Sequence, residues 1–539
     1  MIAPMGLLAL VSFPSASAAE IDAAGFFESD FRLRLEDVPA GAWHSPAGVN
    51  KGFERFDNTI GGRVSAFSGD WTVTVEGEIR ARAQPSAQSL PELSSRQGVE
   101  TLQWRLDEAT LELWDAGIDG FDLKIGHQVV QWGVGDQFNP TNTLNAENLE
   151  DPTKFGEQLP NTMIRGDYAL SPMWTLSGVF VPIFQPAALP ESASIGMAFV
   201  DRMPVLENDV RRDLQAKLQL GDELGYPTIL HNTEVQMPRP TLGNASGMVR
   251  LGGAIGMTDV ALSWYTGRTD MPVAVSNHTT LRNSPTCHPE RTTDCIKGYL
   301  LTDADLAFPR MHVGGLNAAG ELSALGGLGW RVEAALVLPQ RTTIAITNED
   351  LDMGGVVQPA GELDYGLSGE RPEVVSSQPY AKWTVGLDYT IGPAVYVNAQ
   401  WAHGMADEFG AGDFLQPDYV TRSGGADWEM RRLRQGDYLV LGADISLGRM
   451  VLRLFSITDL TGYVLEERGA NSGDVSTSRF SPFSKRGFSG VVYPELMFDL
   501  GDGLDLSIGT VQLLGQTHTK FGDPAAGGDI AFTKANYTF

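Results

Sequence analysis

The chain has 539 residues, a formal net charge of −28 and a hydrophobic fraction of 42%. This acidity argues against nucleic acid as a partner, because a nucleic-acid binder needs a basic face to neutralise phosphates. No run approaches the roughly 18–20 apolar residues of a transmembrane helix, so a chain of this sequence could span a membrane only as a closed β-barrel. Large barrels reach this length as one domain.

The first residues are typical of a secretory signal peptide. Residues 5–13 are a short apolar core, and residues 16–18 (Ala-Ser-Ala) form a small-residue cleavage site. No Lys or Arg precedes the apolar core, which a misplaced start codon would explain; the alternative is an ordinary buried N-terminal segment. The sequence therefore predicts a signal peptide over residues 1–18 and a barrel over residues 19–539.

Apolar and polar residues alternate along most of the remaining chain, which is the pattern of a strand with two different faces. Such segments begin near Phe27, Ile60, Trp71, Ala109, Phe121, Thr162, Trp174, Met248, Val260, Pro309, Gly329, Trp383, Val395, Tyr438, Met450, Phe488, Gly503 and Asp529. The pattern predicts about eighteen strands of roughly ten residues, the length with which a tilted strand crosses a bilayer.

The predicted connections alternate in length. Short ones lie at residues 68–70, 170–172, 257–259, 391–393, 447–449 and 501–503, whereas residues 38–58 and 269–307 are long and polar. Outer-membrane barrels have this arrangement, with short periplasmic turns, long extracellular loops and an even strand count. Trp71, Trp174 and Trp330 each follow a short connection, where a girdle of aromatic residues at the lipid boundary is expected.

Charged residues occupy the polar face of several predicted strands. Because an Arg or Lys facing lipid at the bilayer midplane costs about 2–4 kcal/mol, we place these residues inside the barrel. The candidate pore-lining residues are Arg32, Arg34, Glu76, Glu78, Arg80, Arg82, Glu108, Glu112, Lys124, Arg165, Asp167, Arg331 and Glu333. Collectively they would set selectivity; the alternative, favoured for most individual residues, is that paired charges only brace the barrel interior.

Two long connections could narrow the lumen. Residues 182–243 include a possible short amphipathic helix at 207–220, which would either fold inward as a constriction or cap the loop outside. Residues 132–161 are rich in Asn and Pro and polar enough to line a vestibule. A third connection carries Arg431, Arg432 and Arg434, which would attract anions or lipopolysaccharide phosphates, or simply form a solvated loop base.

Cys287 and Cys295 flank a short polar segment, and in an exported chain this spacing favours one disulfide. Zinc is the alternative, with His288 nearby, but a fourth ligand is lacking. No nucleophile elbow, zinc-binding helix, phosphate loop or dinucleotide fingerprint occurs, so we expect neither an enzyme nor a cofactor. The chain ends on alternating aromatics, Tyr537 and Phe539, which predict a terminal strand read by the barrel insertion machinery.

Several segments resemble a family of large Gram-negative outer-membrane barrels catalogued as a domain of unknown function. These segments are RLDEATLELW, FDLKIGHQVVQWG, FNPTNTLNAENLEDP, DVALSWYTG, FPRMHVGGLNAAG, PYAKWTVGLDYT and VYPELMFDLGDGLDL, spread from about Leu106 to the C-terminus. They are more distantly similar to alginate-export and phosphate-selective porins. The resemblance implies an outer-membrane barrel and transport, with no agreed substrate and no catalytic residues.

These features together predict an all-β, antiparallel transmembrane barrel in the cell outer membrane that passes small solutes by diffusion or facilitated diffusion. The alternatives are a transporter of hydrophobic or polymeric material with periplasmic partners, and a non-conducting scaffold or adhesin. Expected partners are outer-membrane lipid and lipopolysaccharide, the insertion machinery and a small solute. Large porins are often trimers, so a homotrimer is a further expectation, by analogy of fold alone.

Overall fold

The computed structural model describes the following residues of the chain: 19–37, 51–84, 99–136, 138–151, 154, 156–189, 221, 223–287, 295–362, 369–371, 373–375, 377–404, 419–421, 428–432, 437–460, 463–468, 475–516, 519, 521–522 and 528–539. The signal peptide predicted for residues 1–18 and the helix predicted at 207–220 lie outside these residues. No helix of the described part is long and apolar enough to cross a membrane.

Eighteen strands form a single antiparallel sheet. In chain order they are β1 (Glu20–Arg34), β2 (Gly52–Ser68), β3 (Trp71–Arg82), β4 (Leu102–Leu113), β5 (Phe121–Gln128), β6 (Asn161–Ser171), β7 (Trp174–Val181), β8 (Ser246–Ile255), β9 (Thr258–Arg268), β10 (Arg310–Leu322), β11 (Leu328–Pro339), β12 (Tyr380–Ile391), β13 (Val395–His403), β14 (Asp437–Leu447), β15 (Met450–Asp459), β16 (Ser489–Gly501), β17 (Leu504–Gly515) and β18 (Ile530–Thr538). Each strand pairs with its neighbours along the chain, which confirms the predicted strand count.

The sheet closes on itself through its first and last strands. β18 runs antiparallel to β1, from Phe26 opposite Thr538 to Arg34 opposite Ile530. The backbone N–H of Gly25 donates to the carbonyl oxygen of Phe539 at 2.8 Å, and the Phe539 N–H donates back at 2.9 Å. Closure satisfies the backbone groups that an open sheet would expose at its edges, which is a requirement within hydrocarbon.

The two ends of the barrel differ. At one end the strands are joined by short turns at 69–70, 114–120, 172–173, 256–257, 323–327, 392–394, 448–449 and 502–503, and both terminal strands begin or end there. Asp502 and Gly503 have positive φ angles of 53° and 80°, so the turn between β16 and β17 uses left-handed backbone that favours glycine. All long connections leave from the other end, as predicted for an outer-membrane barrel.

The outer surface of the barrel is apolar on every side. Exposed outward-facing residues include Phe27, Ile60, Val75, Ile79, Leu176, Phe180, Val249, Leu262, Trp264, Leu316, Leu336, Leu387, Leu441, Leu454 and Ile508. Trp71, Trp174 and Trp330 also face outward and lie at the turn end, where the sequence predicted an aromatic girdle. This belt is the surface that a transmembrane barrel presents to lipid.

The long connections contain strands that the sequence analysis assigned to polar loops. Residues Thr228–Val235, Val273–Arg282, Tyr299–Ala307, Ala345–Asn348 and Gly361–Glu362 form a five-stranded mixed sheet outside the barrel. A small apolar cluster of Tyr226, Leu300, Leu351 and Met353 packs near it. The alternation within residues 273–307 therefore specifies an extracellular sheet in addition to the barrel strands.

Cys287 and Cys295 lie directly opposite each other in a short antiparallel ladder. Directly opposed residues in such a ladder have Cα atoms about 4.5–5.5 Å apart, a separation that a disulfide spans without strain. His288, the third residue of the alternative zinc site, lies outside the described residues. The disulfide remains a prediction that this backbone pairing favours.

Candidate functional site: a lumen crossed by an inward loop

The described residues of the connection between β5 and β6 (129–136, 138–151, 154 and 156–160), hereafter the inner loop, lie inside the barrel. Its apolar side chains Val130, Trp132 and Leu144 are buried against the inner face of β6 to β11. The wall residues of this cluster are Met163, Val179, Val181, Met248, Tyr265, Val313, Ala335 and Val337. Apolar contact with the wall therefore fixes the first part of the inner loop inside the lumen.

Glu333 on β11 holds the middle of the inner loop. It accepts hydrogen bonds from the backbone N–H groups of Val134, Gly135 and Thr141 at 2.8, 3.1 and 2.7 Å. The Thr141 hydroxyl donates a fourth, also at 2.7 Å. Because the Glu333 side chain is fully buried, these charge-assisted bonds replace the water that an ionised carboxylate would otherwise keep.

The wall next to Glu333 is shaped to receive the inner loop. The Asn317 amide donates to the carbonyl oxygen of Trp132 at 2.6 Å. A Cβ atom at Gly315 would lie 2.7 Å from the Thr141 methyl carbon, closer than real contacts allow. The glycine thus permits the loop to lie directly on β10.

Asp136 ties the same part of the inner loop to two further strands. It forms an ion pair with Arg331 on β11 and accepts hydrogen bonds from the side-chain amides of Asn398 and Gln400, at 3.0 and 2.9 Å, on β13. Burial raises the pKa of the Asp136 carboxyl, the Arg331 charge opposes this rise, and the nearby Asp388 carboxylate adds to it. The net pKa lies above the ordinary value for Asp.

The last part of the inner loop is tied to the opposite wall by ion pairs. Asp151 is bidentate with Arg32 on β1, at 2.7 and 2.6 Å. Glu150 meets Arg82 on β3 at 2.9 Å. Burial would raise the pKa of Asp151, but the hydrogen bonds and charge of Arg32 outweigh burial and hold the pKa far below its usual range.

The ties to this wall continue onto β4, where Arg105 lies 3.3 Å from Glu157. The inner loop supplies the acids and the wall of β1 to β4 supplies the guanidinium groups. Together with the Glu333 and Asp136 contacts, these ion pairs fix the loop to opposite sides of the barrel. It therefore crosses the lumen and does not lie along one wall.

Charged side chains on the turn side of the inner loop remain in contact with solvent. Arg63 and Glu76 have side-chain exposures of 53% and 37%, and they approach to 3.7 Å. Arg453 and Asp444 are exposed to 45% and 34% and form a bidentate pair at 3.0 and 3.1 Å. This part of the lumen is a polar vestibule in which both signs of charge are present.

One sector of the inner wall is apolar, which the sequence analysis missed. Inward-facing Tyr438, Val440, Ile457, Val491, Tyr493, Val511, Ile530 and Phe532, on β14 to β18, are buried in a cluster that includes Phe138 of the inner loop. A signal was present, because residues 438–441 are apolar at four successive positions and therefore on both faces of β14.

Every residue predicted to line the pore faces the barrel interior. Some of these residues bind the inner loop, and others pair with neighbouring residues of the wall. Arg32 and Glu333 are fully buried and hold the inner loop. Other contacts of the predicted set include Arg34 with Glu54, Arg80 and Arg105 with Glu78, Arg82 with Glu150 and Asp57, Glu76 and Glu108 with Arg63, Lys124 with Glu108, Arg165 with Asp167, and Arg331 with Asp136 and Asp388. Glu112 lies opposite Lys124 in the ladder.

The inner loop crosses the lumen; it largely coincides with the connection 132–161, which the sequence predicted as one of two that could narrow the lumen and as the lining of a vestibule. Of the connection 182–243, residues 228–235 belong to the extracellular sheet, and Ala188 forms backbone hydrogen bonds with the inner loop at Glu147 and Leu149. Arg431 and Arg432 lie on an extracellular strand, Trp428–Arg432, and Arg434 lies outside the described residues. The acids Asp136, Glu150 and Asp151 were not among the predicted lining residues.

Solved structures with a similar course of the chain are bacterial outer-membrane proteins of low sequence identity. OccAB3 of Acinetobacter baumannii is 9% identical, with 96% of this chain and 99% of that chain covered and a TM-score of 0.44. OpdK of Pseudomonas aeruginosa, solved with vanillate, is 8% identical (96% and 98% covered, TM-score 0.43), and the outer membrane channel DcaP of A. baumannii is 10% identical (98% and 100%, 0.35). No protein-family model and no curated protein matches the chain.

With TM-scores below 0.5, the architecture rests on the strand pairing of this chain and not on these similarities. The closed sheet, the apolar belt and the asymmetric ends are the features of an outer-membrane barrel of the porin type. The chain is placed in the cell outer membrane, with its long connections outside and its turns toward the periplasm.

Proposed function

We propose that the protein is an outer-membrane channel for small solutes, with the inner loop as its constriction. The observation that carries this proposal is the solvent-exposed charge in the lumen below the inner loop, at Arg63, Glu76, Asp444 and Arg453. Burying such charges in a dry interior would be costly, whereas a water-filled passage keeps them hydrated. Passage would be by diffusion or facilitated diffusion, without covalent chemistry.

The inner loop is suited to set the width of the passage. It belongs to the same chain and is held by Glu333, Asp136 and Asp151 to different strands, so its position is fixed relative to the wall. Selectivity in such a channel comes from pore width and from the charges next to the narrowest point. Both are contributed here by the loop and the strands that hold it.

Liposome swelling tests the channel directly. Proteoliposomes containing the folded protein should swell in solutions of small sugars, at rates that fall as the sugar becomes larger. The same protein unfolded by heat before reconstitution is the control. Folded protein that gives no swelling with the smallest sugar would contradict the proposal.

A second candidate function is transport of hydrophobic material, and the apolar sector of the inner wall is the observation that favours it. The ladder between β16 and β17 keeps its register across Tyr493 and Pro494 but lacks pairs at both, and Pro494 has no backbone N–H to donate. An apolar solute should then quench or shift the fluorescence of a probe attached at Tyr493→Cys, after replacement of both native cysteines. Unchanged fluorescence would contradict transport of hydrophobic material and leave the channel as the proposed function.

Several expectations from the sequence stay predictions. They are the homotrimer, recognition of the terminal strand by the insertion machinery, contact with lipopolysaccharide, and the identity of the solute. The terminal strand has its aromatics on the outer surface, where Tyr537 and Phe539 stack with ring centroids 5.9 Å apart. Chemical cross-linking of the membrane-embedded protein would test the oligomeric state.

A further inference from the structure

Two arginines in the lumen are only partly neutralised by the acids around them. Arg165 on β6 and Arg250 on β8 both face inward, and their guanidinium carbons lie 5.9 and 5.8 Å from the centroid of the same ring of Trp132. We call Arg165 and Arg250 the arginine pair. Trp132 is buried in the inner loop, so the pair lies directly beneath the segment that crosses the lumen.

Among the described residues, one carboxylate serves the arginine pair. Asp167 lies 2.7 Å from Nε of Arg165, and its other oxygen accepts a hydrogen bond from the Ser177 hydroxyl at 2.5 Å. Within the described part of the chain Arg250 forms no ion pair. The nearby Lys124 is paired with Glu108 at 2.8 Å, so Glu108 serves Lys124. The group Arg165, Arg250 and Asp167 therefore keeps one net positive charge.

The surroundings of Arg250 supply further hydrogen-bonding groups. Ser177 and Ser263 are its direct partners on the two neighbouring strands. Nε of Arg250 and the hydroxyl of Ser263 are both buried and find no hydrogen-bond partner among the described residues. Buried polar groups of this kind are rarely left without a hydrogen bond, because each unsatisfied group costs about 1–3 kcal/mol of stability.

We propose that the arginine pair binds the carboxylate or phosphate group of a small anionic solute in the lumen. A guanidinium group offers parallel N–H donors that match two oxygens of either anion. Arg165 is about one-third exposed and accessible from the polar vestibule, since its side-chain exposure is 32%. The site would select anions just before the constriction, and it deepens the proposed channel function.

Binding can be measured without conduction, by isothermal titration calorimetry of the detergent-folded protein with succinate and, separately, with inorganic phosphate. The wild-type protein should bind at least one of them, which distinguishes a carboxylate from a phosphate site. Arg250→Gln and Arg165→Gln should each weaken that binding by about tenfold or more, because a charge-assisted hydrogen bond is lost. Succinamide, which has the same length without charge, should not bind.

Arg63→Gln is the matched control, since Arg63 also faces the lumen but lies near two carboxylates, Glu76 and Glu108, at 3.7 and 3.5 Å. It should change the affinity less than about twofold. Should a glutamine variant fail to show the heat-dependent gel shift of a folded barrel, Arg250→Lys and Arg165→Lys replace it. They keep the charge, lose the paired donors, and should still weaken binding.

Absence of binding to either anion, or equal weakening by Arg63→Gln and Arg250→Gln, would overturn the anion site. The outcome is separable from that of the proposed channel. A protein that binds succinate but does not support swelling contradicts the channel and keeps the site. A protein that supports swelling but binds neither anion keeps the channel and contradicts the site.

Discussion

At the scale of single residues, Glu333 holds the inner loop through four hydrogen bonds to its carboxylate. A glutamine at this position keeps the shape but offers one acceptor oxygen where four donors converge, and its amide would face other N–H groups. Glu333→Gln should cost about 1–3 kcal/mol in holding the loop. We expect faster proteolytic cleavage within residues 133–141 of the folded barrel.

The control for this change is Glu76→Gln, which alters a half-exposed carboxylate on the same inner surface. It should leave the rate of cleavage unchanged, because an exposed ion pair contributes little. Equal cleavage of both variants, or no change in either, would show that Glu333 does not hold the loop.

Two acids of the inner loop, Asp151 and Asp136, should respond to pH in different ranges. The pKa of Asp151 is depressed, so the stability contributed by its pairing with Arg32 is present above the unfolded pKa and is lost only when pH falls through the much lower folded pKa. The pKa of Asp136 is raised, so this carboxyl takes up a proton first as pH falls from neutral. As pH falls, the tie to Arg331 should therefore weaken at a higher pH than the tie to Arg32.

Current noise in a planar bilayer measures this response. Wild-type channels should become noisier as the pH is lowered from neutral through the titration of Asp136, and Asp136→Asn should be noisy throughout, because it resembles the protonated acid. Asp151→Asn should raise the noise already at neutral pH. An acid response that is the same in wild type and Asp136→Asn would contradict the assignment to Asp136.

At the scale of elements, the alternation of each strand fixes which side chains meet lipid. Leu111 on β4 faces outward opposite Val73, and Glu112 faces inward opposite Thr72 and Lys124. Near the midplane, Leu111→Arg should cost about 2–4 kcal/mol because the new charge faces lipid. Glu112→Arg places its new charge in the hydrated interior, where that cost does not arise. The fraction of protein that shows the heat-dependent gel shift should fall strongly for the first variant only. Equal losses would mean that the facing of β4 is wrong.

The strands were predictable from the sequence because their signal is local. A period of two residues is written into each segment, and β7 and β15 begin at the predicted residues Trp174 and Met450. Boundaries were less certain: β2 begins at Gly52 and β4 at Leu102, both well before the predicted Ile60 and Ala109. The backbone ladder extends these strands through residues whose alternation is weak.

The inner loop was not predictable in the same way, because its contacts join distant parts of the chain. Asp151 meets Arg32 across 119 positions, and Thr141 meets Glu333 across 192. No local pattern distinguishes a polar loop that enters the lumen from one that remains outside. The predicted lining residues face the interior and their role in a pore stays a prediction, while the carboxylates Asp136, Glu150 and Asp151 that some of them bind were not predicted.

At the scale of the whole molecule, the barrel and the inner loop have separate roles. The barrel supplies a closed, lipid-compatible wall, and the inner loop is bound to β1, β3, β4, β11 and β13. In the proposed channel this loop sets how much of the lumen stays open. This division predicts that shortening the loop leaves the barrel intact and widens the passage. Replacing residues 134–150 by a short Gly-Ser linker removes the Glu333 and Asp136 ties together.

Single-channel conductance of the wild type and of this shortened variant, both checked for the heat-dependent gel shift, tests the central claim most directly. The wild type should give steady conducting steps, and the shortened variant should give steps several-fold larger. A folded wild type that is electrically silent would contradict the channel. Equal conductance of the two proteins would contradict the assignment of the inner loop as its constriction.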